Sequence, residues 1–336
     1  MSPNRFYAAL AAALFLALPV TAQSLPETDC DRLAGYDHAP RLPGLAGAYA
    51  IRDAAAAVSA CEDAVAADPD DPYLGILLSR ALIAVDPDDA RALDYVQRAA
   101  AALPSLADSR LGLLYLNGQA GLAEDRSRAL VLFAAACARR DDPHGVIGCN
   151  NLGNELLAPG ADAADAARGF ALLEQACDGG LAMGCLSLGY ALENGADADA
   201  NRPRIIALYR GACNAGDLMA CNNLGYIQET GNGMDIDLSA ALENYQCACD
   251  GGEMLGCENL GEAYRLGTGV EADPARAEAF FQAACDRDEV YACFALGTML
   301  ADGEGLSVDV PRAVALLAQA CDLGDTEACE RAESLR

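Results

Sequence analysis

Fifteen cysteines in 336 residues make sulfur the first chemistry to test. In such numbers cysteine serves as half-cystine, zinc ligand or nucleophile, and spacing separates the three. Cys177, Cys213, Cys249, Cys285 and Cys321 recur every 36 residues, and Cys185, Cys221, Cys257, Cys293 and Cys329 recur eight residues after them. Structural zinc sites use cysteines two to four residues apart, which none of these pairs does. Across a tight turn between helices, sulfurs eight residues apart can meet. The spacing therefore predicts the bridges Cys177–Cys185, Cys213–Cys221, Cys249–Cys257, Cys285–Cys293 and Cys321–Cys329. Cys137–Cys149 reads as the same bridge, widened by a four-residue insertion within residues 139–144. Cys30 and Cys61 remain and are paired, tying an N-terminal arm to the first repeat helix. Cys247 is left as a free thiol. It lies two residues before Cys249, where other copies hold Gln175, Gly211, Ala283 and Gln319. That offset turns it away from the bridge. A buried, inert thiol, a reactive thiol and a thiol that joins two chains as a disulfide-linked dimer all remain open.

Other chemistries are poorly supplied. The 22 basic residues are all Arg, against 50 Asp and Glu, for a net charge of −28. Without Lys there is no phosphate-loop lysine, no Schiff base and no Ser-x-x-Lys acylation motif. The two histidines, His38 and His144, are too few for a His-rich metal site. A Cys149–His144 nucleophile pair competes with the half-cystine role of Cys149, and His144, after Pro143, reads as a solvated loop residue. The acidic alternations Asp197-x-Asp199-x-Asn201 and Asp235-x-Asp237 lack the Gly and distal Glu of a calcium loop. No catalytic residue, metal or cofactor is expected. Net charge of this sign repels nucleic acid and anionic membrane surfaces.

The elements that carry the cysteines are helices. A Leu-Gly pair keeps the 36-residue period at Leu152-Gly153, Leu188-Gly189, Leu224-Gly225, Leu260-Gly261 and Leu296-Gly297, inside a segment with apolar residues at helical spacing. Gly costs a helix about 1 kcal/mol relative to Ala. Its repetition implies that a neighbouring helix approaches too closely for a β-carbon. A Gly-containing loop follows, and then a capping residue for a second helix at Asp165, Asn201, Asp237, Asp273 and Asp309. Leu111-Gly112 and Asp125 look like an earlier copy. Farther upstream, two Ala-rich stretches are punctuated by Asp-Pro without cysteine staples.

This pattern resembles the Sel-one-like repeats (SLR), relatives of the tetratricopeptide repeats, in their cysteine-rich secreted bacterial branch. The resemblance covers roughly residues 105–329, with a weaker tetratricopeptide likeness over residues 50–103. It implies an all-α, right-handed α/α superhelix (solenoid) with a concave face and a role in holding protein or peptide partners. It also brings an alternative, a β-lactamase-like or penicillin- or peptidoglycan-fragment-binding hydrolase, for which no motif is found here.

Four segments follow: a signal peptide at 1–22, with Arg5 before an apolar run and small residues before the cleavage point; an N-terminal arm and tetratricopeptide-like helices at 23–104; Sel-one-like repeats at 105–329; and a polar C-terminal tail at 330–336. Export and paired cysteines together imply a periplasmic or secreted protein, with no membrane insertion after signal cleavage. On the first helix of each repeat, the positions left outside the core form a stripe: Asn151 and Asn154; Ser187, Tyr190 and Glu193; Asn223, Tyr226 and Glu229; Asn259, Glu262 and Arg265. Asn amides can pair with a peptide's N–H and C=O, and Tyr offers flat area at low entropic cost. An extended polar or basic peptide would suit such a stripe, and an ordinary hydrated helix face would carry the same residues.

Overall fold

The computed structural model describes residues 28–34, 51 and 53–336. Residues 1–22, expected to be a signal peptide, and His38 lie outside the described residues. The described residues form helices and no strand: α1 (Asp29–Ala34), α2 (Ala54–Ala67), α3 (Pro72–Val85), α4 (Arg91–Ala99), α5 (Pro104–Leu116), α6 (Arg126–Ala138), α7 (Gly145–Leu156), α8 (Ala163–Asp178), α9 (Ala182–Glu193), α10 (Ala198–Asn214), α11 (Leu218–Thr230), α12 (Leu238–Gly251), α13 (Met254–Leu266), α14 (Pro274–Cys285), α15 (Val290–Asp302), α16 (Val310–Asp322) and α17 (Thr326–Ser334). Each helix packs on the next, so the chain is a solenoid of antiparallel hairpins. The last helix continues through residues 330–334, where Ala332 is buried.

The loop inside each hairpin is set by turn and cap chemistry. Gly231, Gly267 and Gly303 end α11, α13 and α15 in the left-handed conformation (φ 69°, 75° and 71°), which a β-carbon would disfavour. Asp237, Asp273 and Asp309 then cap α12, α14 and α16 with their side chains. Their backbone N–H groups donate back to Gln228, Tyr264 and Leu300 of the preceding helix at 2.9–3.0 Å, closing the hairpin. Asp125 does the same at α6, donating to Tyr115 at 2.8 Å. Asp165 and Asn201 are not caps. The segments before α8 and α10 lack the paired left-handed glycines, and their Ala-rich sequence starts the helix about one turn earlier. Asp162 caps α8 by accepting from Ala164 and Asp165. Asn201 lies within α10, where its amide donates to the Asp197 carbonyl at 3.0 Å.

The recurrent helix glycine is a slot for a ring or a branched side chain. Built on Gly189, a β-carbon would lie 2.7 Å from the Tyr209 ring; on Gly225, 2.8 Å from Tyr245; on Gly261, 2.7 Å from Phe281. Leu173 and Leu317 occupy the same slot against Gly153 and Gly297, and Phe133 against Gly112. All of these side chains stand four residues before the first cysteine of their repeat, and all are fully buried. In each of these hairpins one large side chain is driven into a glycine notch, and buried alanines pack around it together with further apolar side chains such as Leu188, Ile205, Leu224 and Leu296.

All seven bridges are present, the repeat bridges at the periodic spacing and Cys30–Cys61 as the remaining pair, with Cα–Cα separations of 4.4–4.7 Å, inside the range a disulfide requires. Each eight-residue bridge clips the end of one even-numbered helix to the first turn of the next odd-numbered helix. No helix among the described residues is long and apolar enough to cross a membrane.

Candidate partner-binding face

Odd-numbered helices of the repeats carry the Leu-Gly pairs. Beyond sequential neighbours, the helices that approach most closely are also odd-numbered: α3 with α5, α5 with α7, α7 with α9, and α13 with α15. One side of the solenoid is thus a row of odd helices drawn together, and the even helices stand behind it. The stripe predicted from the sequence lies on that row.

Its residues divide into two groups. Tyr190 on α9 and Tyr226 on α11 are 62% and 56% exposed, large rings that present much of their surface to solvent. Asn154 on α7 is exposed too, and its amide reaches Ser187 on α9 at 3.3 Å, a link between successive odd helices. Asn259 on α13 donates to Asn222 on α11 at 2.8 Å, a second such link. Asn151 and Asn223 are half-buried beside them.

The second group faces inward. Glu193 accepts the Tyr209 hydroxyl at 2.8 Å and the Arg202 guanidinium at 3.0 Å. Glu229 accepts the Tyr245 hydroxyl at 2.7 Å. The logic is local: a tyrosine in the glycine notch buries its ring, and its hydroxyl then needs a partner one turn beyond the glycine. Where the notch holds Phe281 or Leu317, that position is Arg265 or Ala301 instead of Glu. Burial first, and then the facing carboxylate, pushes both phenols far above their ordinary pKa, so they stay donors. Glu262 and Arg265 pair with each other at 2.6 Å, and Arg265 also binds Glu304 at 2.7 Å.

The structure also shows groups that the stripe omitted. Asn150 and Asn222, two residues before the leucine, are buried between odd helices. The equivalent residue on α13 is Glu258. Its carboxyl is pushed up to about 7, first by burial and then by Glu289 and Glu262. The unfolded carboxyl titrates near 4.5. Between those values the folded chain binds the extra proton, so stability falls as pH rises from about 4.5 to about 7 and then levels off. Glu258→Gln should raise stability at pH 8 by about 1 kcal/mol, allowing for partial solvation, and change little near pH 4.5. Thermal melts of the two proteins across that range check this.

A family model of the Sel1 repeat matches residues 73–102, 105–141, 146–181, 182–217, 218–253, 255–289 and 290–325. The chain belongs to the Sel1 repeat family. Each match from residue 182 onward covers an odd helix and its even partner and ends in the turn after it, and the eight-residue bridges clip one such unit to the next. The first match starts at residue 73, upstream of the cysteine-bridged units. Among solved structures, a Sel1 repeat protein from Oxalobacter formigenes is similar at 24% identity and TM-score 0.60, with 85% of this chain and 83% of that one covered. A protective antigen of uropathogenic Escherichia coli, which displays an SLR fold, is similar at 23% identity and TM-score 0.59. That match covers 83% of this chain and 63% of the antigen, so the chain spans somewhat under two thirds of that relative. No curated protein sequence matches the chain.

Within this Sel1 repeat array two expectations are corrected. His144 is not solvated: it is 9% exposed, at the start of α7, with its Nδ1 3.3 Å from Asp142. The insertion folds back on itself there, and Asp142 also accepts the Ser105 and His144 backbone N–H groups. Cys149 is consumed by its bridge, so no Cys–His pair exists. Cys247, the free thiol, is exposed, which removes the buried, inert reading. It lies on α12 opposite the packed residues Ala241, Tyr245 and Ala248. Seven intrachain disulfides fit an oxidising environment.

Proposed function

We propose that the chain is an exported, disulfide-clipped, non-catalytic scaffold that holds a protein or peptide along its row of odd helices. The observation that carries this reading is the pair of exposed tyrosines, Tyr190 and Tyr226, at the same position of successive repeats. Such rings give contact area with little side-chain entropy to lose, and Asn154 beside them supplies an amide for backbone recognition. Glu193 and Glu229 serve the fold through their tyrosine partners, which narrows the proposed contact surface to the Tyr–Asn portion of the stripe. The apolar leader at residues 1–22 and the bridges support export to the periplasm or beyond.

The test is capture from a periplasmic fraction with the oxidised protein, followed by affinity measurement on the partner found. Tyr190→Ala with Tyr226→Ala should weaken binding at least tenfold, the usual effect of truncating a central aromatic contact. The melting temperature should stay within a few degrees, because both rings are exposed. Unchanged affinity would remove this face from the reading.

A further inference from the structure

The even helices on the other side of the solenoid carry a recurring arginine: Arg168, Arg204, Arg276 and Arg312, in steps of 36 or 72 residues. In two copies it forms an ion pair with the preceding even helix. Arg204 on α10 pairs with Glu174 on α8. Arg312 on α16 pairs with Glu278 on α14 and donates to Gln282 at 2.7 Å. Arg276 stacks instead over the Tyr264 ring, 3.9 Å from its centre.

Arg168 on α8 has none of these. The position three residues before the first cysteine, Glu174 or Gln282 in the paired copies, is Ala134 on α6, and the position seven before it, Glu278 in the other, is Leu130. The ion pair seen elsewhere therefore has a vacancy here. A groove of about 180 Å³ occupies the space, lined by Ala134, Ala138, Leu152, Leu172 and Gln175, with Arg168 and Arg140. Arg140 comes from the insertion unique to this repeat. It is exposed and, like Arg168, has no ion pair, side-chain hydrogen bond or ring contact within the described chain. In a chain with 50 acidic residues, no carboxylate lines this groove. Of the acids nearby, Glu174 is engaged by Arg204 and Asp142 by Ser105 and His144, while Asp141 and Asp178 line the adjoining clefts that also touch Arg140.

We propose that this groove between α6 and α8 is a second binding site, for an acidic segment of a partner in which a Glu side chain lies beside an apolar residue. The Glu takes the place of the missing Glu174 equivalent and is gripped by both guanidinium groups, while the apolar residue lies on the Ala–Leu floor. Charge complementarity selects this occupant, since guanidinium forks favour carboxylates and an apolar floor rewards the flanking residue. The site is on the opposite side from the tyrosines and stands or falls independently of them.

The probe is a fluorescein-labelled, capped peptide containing Leu-Glu between Gly and Ser residues, titrated against the full oxidised chain and read by anisotropy. Saturable binding is expected, weakened roughly tenfold or more when the Glu is replaced by Gln. Arg168→Gln and Arg140→Gln should each weaken it several-fold. Arg210→Gln, which removes an equally exposed and unpartnered guanidinium outside the groove, should leave it unchanged. Ala134→Glu, which supplies the missing carboxylate from within, should abolish it. All of these positions are exposed or half-buried, and circular dichroism confirms that each variant is folded. Absence of saturation, equal binding of the Gln peptide, or full binding by Arg168→Gln or Ala134→Glu would overturn the proposal.

Discussion

Reducing the seven disulfides of the folded protein should abolish its cooperative melt near room temperature or lower the midpoint by tens of degrees. The core explains why. Alanine makes up a large share of the buried core beside the notch residues and the leucines, and alanine contributes little apolar area per residue. In the chain-entropy model each eight-residue bridge contributes roughly 2–3 kcal/mol. Several such terms together exceed the net stability of about 5–15 kcal/mol typical of a folded domain. In a solenoid the loss is distributed, because each unit touches only its neighbours. Replacing one pair, Cys213→Ser with Cys221→Ser, should therefore cost about 2–3 kcal/mol and loosen mainly the α10–α11 junction. Far-ultraviolet circular dichroism against temperature, with and without reductant, reads the first effect. Hydrogen exchange reads the second. Identical melts in both redox states would contradict it.

Gly225→Ala should destabilise the chain by about 2–3 kcal/mol, although alanine is the better helix former. The new β-carbon would sit 2.8 Å from the Tyr245 ring and 3.1 Å from the Ala241 carbonyl, and neither can yield cheaply. The ring is 1% exposed, and the carbonyl is helix backbone. Moving the ring also pulls its hydroxyl from Glu229, breaking a hydrogen bond to a charged group. The same substitution at Gly211, on α10, meets nothing within 4 Å and should stabilise by about 1 kcal/mol. Opposite signs from one chemical change separate a packing notch from helix propensity, and paired denaturant titrations measure both. A stabilising Gly225→Ala would show that the notch has room.

The architecture was legible because one period is written into three residue classes at once. Cysteines eight residues apart bridge a turn, a glycine repeated against helix propensity marks a close approach, and aspartates after paired glycines cap the next helix. The failures have the same local character. Asp165 and Asn201 keep the period, yet the preceding loops lack Gly-x-Gly, and alanine lets the helix begin before them. Glu193 and Glu229 sit at outward-looking positions in the helical pattern, and only the partner helix reveals a tyrosine hydroxyl aimed at each. The signal was present in the repeats themselves, since Glu appears one turn past the glycine where the notch holds Tyr. Asn222 and Glu258 carry no periodic signal because they face neither the hairpin core nor open solvent, but the seam between successive odd helices. The insertion at residues 139–144 buries His144 through contacts to α5 that no periodic argument contains.

The most direct test is a thiol count on the unreduced protein in denaturant, combined with mass mapping of its proteolytic fragments. A single titratable thiol per chain, Cys247, is expected, with fragments in which every other cysteine is linked within its own hairpin junction, Cys30 to Cys61 included. Free thiols spread through the repeats, or sulfurs joined across distant junctions, would contradict it.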